Sequence, residues 1–359
     1  MEQKSVTPSR HNNVSVLRFL AAFMVMAGHM CYLAGMNPTV FFDTQIQSLG
    51  VKIFFILGGY FVANSWASDP KPLRYAIKRF FRIWPPLAAF VVIAACVAGP
   101  VLSTLPVQEY FRHPFFGTYF KNLALNIQYA LPGVFESNPY PVAVNGSLWT
   151  LPVEATMYLV IPLLFSLIRY RKSQPRRFQI AIIWGICLAL CAFHVVLKAF
   201  YPTARVVFYA VDWVSAMDNI PFYFIGIACS VIDIKKYLNL QLAIFLIIAA
   251  SCFVRETISQ SILLLILLPY LVLSFSFAPT LRVSAFFDRH EVSYGLYLYG
   301  FFIQQVVMLV VLRLGIPYSQ PGLLIVSFLL TLAVALLSRS CIEQPCLKLS
   351  KQLLKRVSV

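Results

Sequence analysis

The chain has 359 residues, of which 60% are hydrophobic and only 12% are charged. Soluble domains carry about 25% charged residues, so this composition excludes a soluble globular protein and indicates an integral membrane protein. The formal net charge of +16 would suit a nucleic-acid partner, but the positions of the cations argue against one.

Ten apolar stretches are long enough to cross a bilayer as helices, which takes about 20 residues each. They are 14–35, 46–66, 85–105, 147–168, 178–199, 217–233, 238–254, 258–278, 291–312 and 321–340. The stretch 217–233 is the least membrane-like, because it is short and has Asp218 and Asp233 near its ends. We therefore predict an all-α polytopic protein with about ten transmembrane helices, forming one domain over residues 1–359.

Most of the 29 Lys and Arg residues fall on one side of the membrane when these spans alternate in direction. That side receives Lys4 and Arg10, the loops 67–84 and 169–177, and the tail 341–359. The positive-inside rule makes this side the cytoplasm, so both termini are predicted to be cytoplasmic. The tail reads as an amphipathic basic helix suited to the inner leaflet.

The first span contains two polar residues that are costly in lipid, Arg18 and His29. Eleven positions separate them, so they share one helix face and lie about 16 Å apart along the axis. Arg18 is predicted near the cytoplasmic surface and His29 in the outer half. This pattern indicates either a functional site within the membrane or a packing histidine with a snorkelling arginine.

The predicted cytoplasmic loop 67–84 places Arg79 and Arg82 three positions apart, on one helix face. Pro85 and Pro86 then open the next span. Paired guanidinium groups bind phosphate oxygens bidentately, which suits an anionic cytoplasmic ligand. The alternative is a basic surface that contacts lipid head groups.

A carboxylate at Glu154 lies about two turns into the fourth span and requires a partner. By depth, His29 and Lys52 are the candidates, which predicts either a buried ionisable cluster or a packing network without chemistry. The preceding region 106–146 is an extracytoplasmic loop region with a predicted interfacial helix near 108–130. It either lines an acceptor-binding surface or forms a passive lid.

The ninth span begins with a tyrosine-rich segment that includes Tyr294, which indicates an aromatic belt or a channel lining. The eight cysteines lie mostly singly in apolar segments, so we expect neither disulfides nor a metal site. No cleavable signal peptide is expected. The remaining histidines are expected to be surface residues without a role: His11, His113, His194 and His290. No nucleotide-binding or hydrolase signature appears.

Six short motifs occur in order along nearly the whole chain, and together they resemble the acyltransferase-3 family. The matching residues are Arg18 and His29; Gly50 to Tyr60; Arg79, Arg82 and Pro85; Ser147, Leu148, Trp149, Leu151, Glu154 and Tyr158; Ser293 to Tyr299; and Glu343 with Pro345. The chain departs from many relatives at Lys52, Gly58, Ala155 and Gly300. The resemblance implies helices around a central channel in the bacterial cytoplasmic (inner) membrane.

The resemblance also implies O-acylation of a cell-surface or lipid-linked glycan, with acetyl-CoA as a donor substrate and no permanently bound cofactor. Arg18, Arg79 and Arg82 would bind the donor, and His29 would be the general base, oriented by Glu154. Direct transfer and an acyl-histidine intermediate both remain open. Other acceptor-side or supporting candidates are Lys52, Asn145, Ser147, Trp149 and Tyr294.

The acceptor class is left open between O-antigen, capsule, exopolysaccharide and glycolipid, and a longer donor such as succinyl-CoA is the next alternative. The rival function is a transporter or flippase of a glycan or lipid-linked intermediate, which would also need buried charges. We predict contacts with the lipid bilayer and no nucleic-acid partner.

Overall fold

A computed structural model of the protein describes residues 12–173 and 175–357. Its helices are α1 (Val14–Leu33), α2 (Ile46–Ser68), α3 (Pro72–Ile93), α4 (Gly99–Leu102), α5 (Val107–Arg112), α6 (Pro114–Tyr119), α7 (Thr150–Leu167), α8 (Arg177–Phe200), α9 (Trp213–Ala216), α10 (Ile220–Ser230), α11 (Leu240–Phe253), α12 (Thr257–Phe277), α13 (Ser284–Arg289), α14 (Ser293–Arg313), α15 (Gln320–Ser338) and α16 (Gln344–Arg356). The predicted all-α class is confirmed. Lys4, Arg10 and His11 lie outside the described residues.

Short irregular elements connect these helices. Turns of π-helix lie at Ala94–Ala98 and Arg339–Glu343, and 3₁₀ turns lie at Phe120–Ala124, Gly146–Trp149 and Ile234–Tyr237. Strand β1 (Val40–Phe41) pairs antiparallel with β2 (Thr44–Gln45), and β3 (Val207–Phe208) pairs antiparallel with β4 (Val211–Asp212). These two small hairpins are therefore minor additions to a helical fold.

Eight helical segments of the described chain are long and apolar enough to cross a membrane. They are Val14–Leu33, Ile46–Ser68, Pro72–Leu102, Gly146–Leu167, Arg177–Phe200, Thr257–Phe277, Ser293–Arg313 and Gln320–Arg356. The other two predicted spans, 217–233 and 238–254, were wrong in length, since α10 has 11 residues and α11 has 14. Helices of these lengths rise only about 16 and 21 Å.

The predicted loop 67–84 is mostly helical, because α3 already begins at Pro72. A proline suits the first turn of a helix, where its missing N–H has no partner to lose. Asp69, just before α3, accepts hydrogen bonds from Arg74 and Lys78 at 2.9 Å each, which lowers the pKa of its carboxyl. Pro85 and Pro86 lie inside the helix instead of opening it.

Helices α2 and α10 approach each other closely through glycines. A Cβ added at Gly59 would overlap the Tyr223 carbonyl of α10, and one at Gly226 would overlap the Ile56 carbonyl of α2. Small residues of this kind allow backbones to pack closely in membrane proteins. Helix α2 also packs on α1, so it lies between α1 and α10 in the core.

The region 106–146, which the sequence predicts to be extracytoplasmic, is packed against the helices. Short helices replace the single interfacial helix predicted near 108–130. Tyr110 donates to the Ala95 carbonyl at 2.7 Å, and Asn138 donates to the side-chain oxygen of Gln305 at 2.7 Å. These contacts anchor the region to α14 and to the end of the third span.

At the opposite face, the predicted amphipathic tail is helical over α16. It joins α15 through the π-helical turn and packs against α3. Arg74 donates to the Leu354 carbonyl at 2.9 Å across this contact. The tail therefore packs against the first half of α3, the helix that carries the predicted arginine pair.

Candidate active site

A cavity of about 100 Å³ lies between α1, α2, α3, α7, α10 and α14, where the sequence predicts a channel. Five of the predicted site residues line it together: Arg18, Arg79, Arg82, Glu154 and Tyr294. Apolar and aromatic side chains complete the lining, including Phe54, Phe55, Ile83, Tyr158, Tyr223 and Tyr297. The cavity is therefore small, and its lining combines apolar and aromatic side chains with a cluster of guanidinium groups.

Glu291, which the sequence analysis did not single out, organises the arginine cluster. Its carboxylate lies 2.9 Å from Arg18 Nη1 and 3.8 Å from Arg82 Nη2. Burial alone would raise the pKa of this carboxyl, but the guanidinium groups of Arg18 and Arg82 outweigh it and hold the pKa at about 2. Arg339 also donates to the Glu291 carbonyl.

The signal that could have identified Glu291 was its position just before a span, on the predicted cytoplasmic side with the conspicuous arginines. It fixes Arg18 of α1 and Arg82 of α3 around the start of α14. One carboxylate shared by two guanidinium groups leaves these cations with unused hydrogen-bonding capacity.

Tyrosine rings contact the guanidinium groups of both Arg79 and Arg82, and Arg82 also approaches Glu291. The Arg79 guanidinium carbon lies 5.5 Å from the Tyr75 ring centroid and 5.3 Å from that of Tyr158. Arg82 lies 5.3 Å from the Tyr294 ring centroid. Such cation–π contacts orient a guanidinium group without occupying its N–H donors. In the part of the chain that the structure describes, the buried Arg79 Nε has no hydrogen-bond partner.

Glu154 lines the same cavity and is half-buried on α7. It accepts a hydrogen bond from the hydroxyl of Tyr158, one turn along the helix. Tyr158 in turn contacts Arg79 through its ring. Glu154 is thus connected to Arg79 by way of Tyr158, within the cavity that all three line.

His29 lies outside this cavity. Its ring packs edge-on against Phe301 of α14, with 5.1 Å between the centroids. Tyr297, one turn before Phe301, lines the cavity and lies 2.5 Å from the Thr150 hydroxyl. Phe301, and with it His29, is therefore about one helical turn beyond Tyr297, at the end of the cavity away from the arginines. Among the described residues no hydrogen bond joins His29 to Glu154, so the structure does not contain the predicted pair.

Comparison with known proteins decides the family. A model of the acyltransferase-3 family, described as an acyltransferase domain, matches residues 11–339. The chain belongs to the acyltransferase-3 family. The protein is therefore a multi-pass membrane acyltransferase, and this assignment favours acyl transfer over the transporter alternative.

Three relatives illustrate the breadth of this similarity. Nodulation protein 10 of Rhizobium leguminosarum bv. viciae is 29% identical, covering 96% of this chain and 95% of its own length. An O-acetyl transferase of Shigella phage Sf6 is 23% identical over 83% and 86%, respectively. Regulator of hypoxia-inducible factor 1 of Caenorhabditis elegans is 24% identical over 55% and 40%. No solved structure matches the chain significantly.

Three further candidates of this acyltransferase lie near the start of α7. Asn145 donates to the Leu298 carbonyl at 2.7 Å and accepts from the Ser147 backbone N–H at 3.0 Å, so it joins two elements. The Ser147 hydroxyl is buried and has no hydrogen-bond partner within the described residues. Trp149 is half-buried next to the cavity-lining Thr150. Ser147 therefore offers a buried side-chain donor near the start of α7.

Lys52 is the clearest correction to the sequence analysis. It lies on α2 as predicted but lines a second cavity of about 250 Å³, whereas Glu154 lines the arginine-lined cavity. The predicted cluster of His29, Lys52 and Glu154 is therefore not formed. Hydropathy gives depth in the membrane but not the lateral direction of a side chain, which explains the error.

The second cavity also corrects the expectation for His194. This residue is only 5% exposed, and its Nδ1 lies 3.5 Å from Asp218. It is therefore a buried histidine and not a surface one. Among the described residues, no group of three or more His, Cys, Asp or Glu residues is arranged to hold a metal ion, and all eight cysteines are free thiols.

Proposed function

We propose that this acyltransferase moves an acetyl group from cytoplasmic acetyl-CoA to a hydroxyl of a cell-surface or lipid-linked glycan, in the bacterial inner membrane. The observation that carries the proposal is the arginine-lined cavity, in which Arg79 and Arg82 present guanidinium groups on tyrosine faces. The phage relative is named as an O-acetyl transferase, which supports acetyl as the group that is transferred.

The donor would bind with its phosphates at the cytoplasmic arginines. Guanidinium groups bind phosphate oxygens bidentately, and the unpaired Arg79 Nε–H is available to donate a hydrogen bond to a phosphate oxygen. The cavity of about 100 Å³ is far too small for a nucleotide, so the nucleotide would stay outside. The thin thioester-bearing arm would extend between Phe54, Tyr294 and Tyr297 toward the outer half.

His29 would act as the general base at the end of this path that lies farthest from the arginines. A neutral imidazole would take the proton of the acceptor hydroxyl, whose oxygen attacks the thioester carbonyl. The carbon–sulfur bond would then break, and the leaving thiolate would take the proton from the imidazolium. A covalent acyl-histidine that the acceptor hydroxyl later attacks is the alternative route.

Glu154 would act on the donor side. Its hydrogen bond from Tyr158, and the contact of Tyr158 with Arg79, make it a positioning residue for the phosphate-binding arginines. This role replaces orientation of His29, because Glu154 lines the arginine-lined cavity whereas His29 lies outside that lining, against Phe301.

The decisive experiment is transfer of isotope-labelled acetyl from acetyl-CoA to surface glycan, in membranes containing the protein, followed by mass analysis of the released glycan. We expect labelled O-acetyl groups with the wild-type chain and none with His29→Ala at equal protein levels. Gly185→Ala is a matched folding control, because a Cβ there meets no atom within 4 Å. Full activity of His29→Ala would refute the assignment of the base.

A further inference from the structure

The second cavity contains a buried cation without a polar partner. Lys52 is 4% exposed, and within the described residues its ammonium group has neither a hydrogen bond nor an ion pair. The ammonium group lies over the face of the Phe222 ring, with 5.3 Å between Nζ and the ring centroid. A buried ammonium group is costly unless it is paired or solvated, so Lys52 requires a partner.

The other charged groups of the cavity are already engaged with one another. Lys198 forms a 2.9 Å ion pair with Asp43, and Asp218 lies 3.5 Å from His194. Asp218 also attracts Lys52 electrostatically without bonding to it. Lys52 is therefore the cation of this lining that remains without a carboxylate of its own.

The cavity opens toward the extracytoplasmic side predicted for these residues. Asp43 lies in the turn between β1 and β2, and Lys198 lies in the last turns of α8. A neighbouring cavity of about 480 Å³ shares His194, Lys198 and Asp218 and adds Arg205 to the lining. A ligand could therefore enter between the two hairpins and reach Lys52, about 9 Å along α2 from its first residue.

We propose that this cavity binds a negatively charged group, a carboxylate or a phosphate, of a ligand that arrives from the extracytoplasmic side, with Lys52 as its central ligand. The space of about 250 Å³ holds several waters or one such group. Ser48 supplies a hydroxyl group to the cavity, whereas the hydroxyl groups of Thr44 and Ser261, which also line it, donate to the Phe42 and Thr257 carbonyls. The site is separate from the arginine-lined cavity.

The position of the site points to the acceptor. Gln45 lines this cavity and accepts from Gln47 at 2.8 Å, while a Cβ at Gly28 would overlap the Gln47 side chain. The start of α2 therefore links the anion site to the residue before His29. An acidic residue of the glycan could bind at Lys52 while a nearby hydroxyl reaches His29; this step, unlike anion binding, rests on the proposed function.

The test measures binding to the purified full chain in phosphatidylcholine nanodiscs, by its thermal unfolding midpoint. Glucuronate and glucose 6-phosphate are compared with glucose at equal ionic strength. We expect a saturable rise with at least one acidic sugar and none with glucose, because a ligand stabilises the state that it binds. Equal rises with glucose, or no rise with any anion, would overturn the proposal.

Two variants with opposite expected effects make the test specific. Lys52→Met should weaken anion binding at least about tenfold, while raising the midpoint of the ligand-free protein because it removes an unpaired buried charge. Asp218→Asn should tighten binding several-fold, since it removes the nearest negative charge. The matched control Lys236→Met, at an exposed lysine, should respond like the wild type. An unchanged response in Lys52→Met would refute the site.

A second arm separates the sources of the anion. Nanodiscs with phosphatidylglycerol replace those with phosphatidylcholine, in the wild type and in Lys52→Met. A midpoint that rises with phosphatidylglycerol only when Lys52 is present supports the site with a lipid phosphate as its ligand, whereas a response confined to acidic sugars supports the glycan. Since no acyl transfer is measured, failure of the proposed reaction would not affect this result.

Discussion

Arg18 and Glu291 form an ion pair of 2.9 Å although 273 positions separate them in the chain. The contact joins the start of α1 to the start of α14, and Arg82 of α3 approaches the same carboxylate at 3.8 Å. Three helices are thus tied together at the mouth of the cavity, so the geometry of the predicted donor site depends on one acidic side chain.

Replacing Glu291 by Gln should destabilise the protein in a pH-dependent way. The pKa of this carboxyl is lowered to about 2 in the folded state, against about 4.3 in an unfolded chain. The stability that it contributes is therefore fully present above about pH 4.3 and is lost as the pH falls toward 2. Thermal unfolding midpoints of wild type and Glu291→Gln should differ most at pH 7, differ less at pH 3 and converge only as the pH falls to about 2. A constant difference over this range would contradict the assignment.

Arg79→Gln should raise the KM for acetyl-CoA about tenfold, the cost of one charge-assisted hydrogen bond, with a smaller effect on kcat. Arg79→Lys should restore little, because an ammonium group cannot reproduce a bidentate fork. Steady-state kinetics with varied donor measure both. Arg356→Gln, at an exposed arginine of α16, is the matched control and should match the wild type. A lowered kcat at unchanged KM would count against phosphate binding.

Tyr158→Phe should reproduce the effect of Glu154→Gln if Glu154 acts through Tyr158. Tyr158→Phe removes this hydrogen bond and Glu154→Gln weakens it by removing the charge of its acceptor, so each should raise the donor KM by up to about tenfold. The double variant should then be no worse than either single one. The dependence of kcat on pH, which reports the catalytic base, should be unaltered in these variants. A shifted pH profile in Glu154→Gln alone would restore the direct pairing with His29.

Gly59→Ala should disrupt the packing of α2 on α10, because the added methyl group would overlap the Tyr223 carbonyl, a backbone atom that cannot turn away. We expect a loss of stability of about 2 kcal/mol or more, as for other overpacked cores. Gly185→Ala on α8 meets nothing within 4 Å and should be neutral or stabilising by up to about 1 kcal/mol. Thermal unfolding in detergent compares them, and equal midpoints would contradict the close approach.

The sequence by itself determined the membrane class, the eight long helices and the motifs of the family, because hydropathy and motif spacing are properties of a linear chain. Through the family resemblance it also predicted that Arg18, Arg79 and Arg82 belong to one site, and the structure brings them into one cavity, to which it adds Glu154. It overestimated the spans at α10 and α11. Helix α10 is mostly buried, and its apolar residues resemble those that face lipid, whereas α11 has Ala243 as its one buried residue and is 14 residues long.

Only the tertiary structure decided which side chains of equal depth meet. Lys52 and Glu154 face different cavities, and His29 packs against Phe301 outside the lining of the cavity that contains Glu154. The role of Glu291 likewise depends on tertiary structure, because Arg18 and Arg82 approach its carboxylate from two helices that are distant in the sequence. Depth in a membrane follows from position along one helix, whereas lateral contact depends on how every helix is rotated and packed against its neighbours.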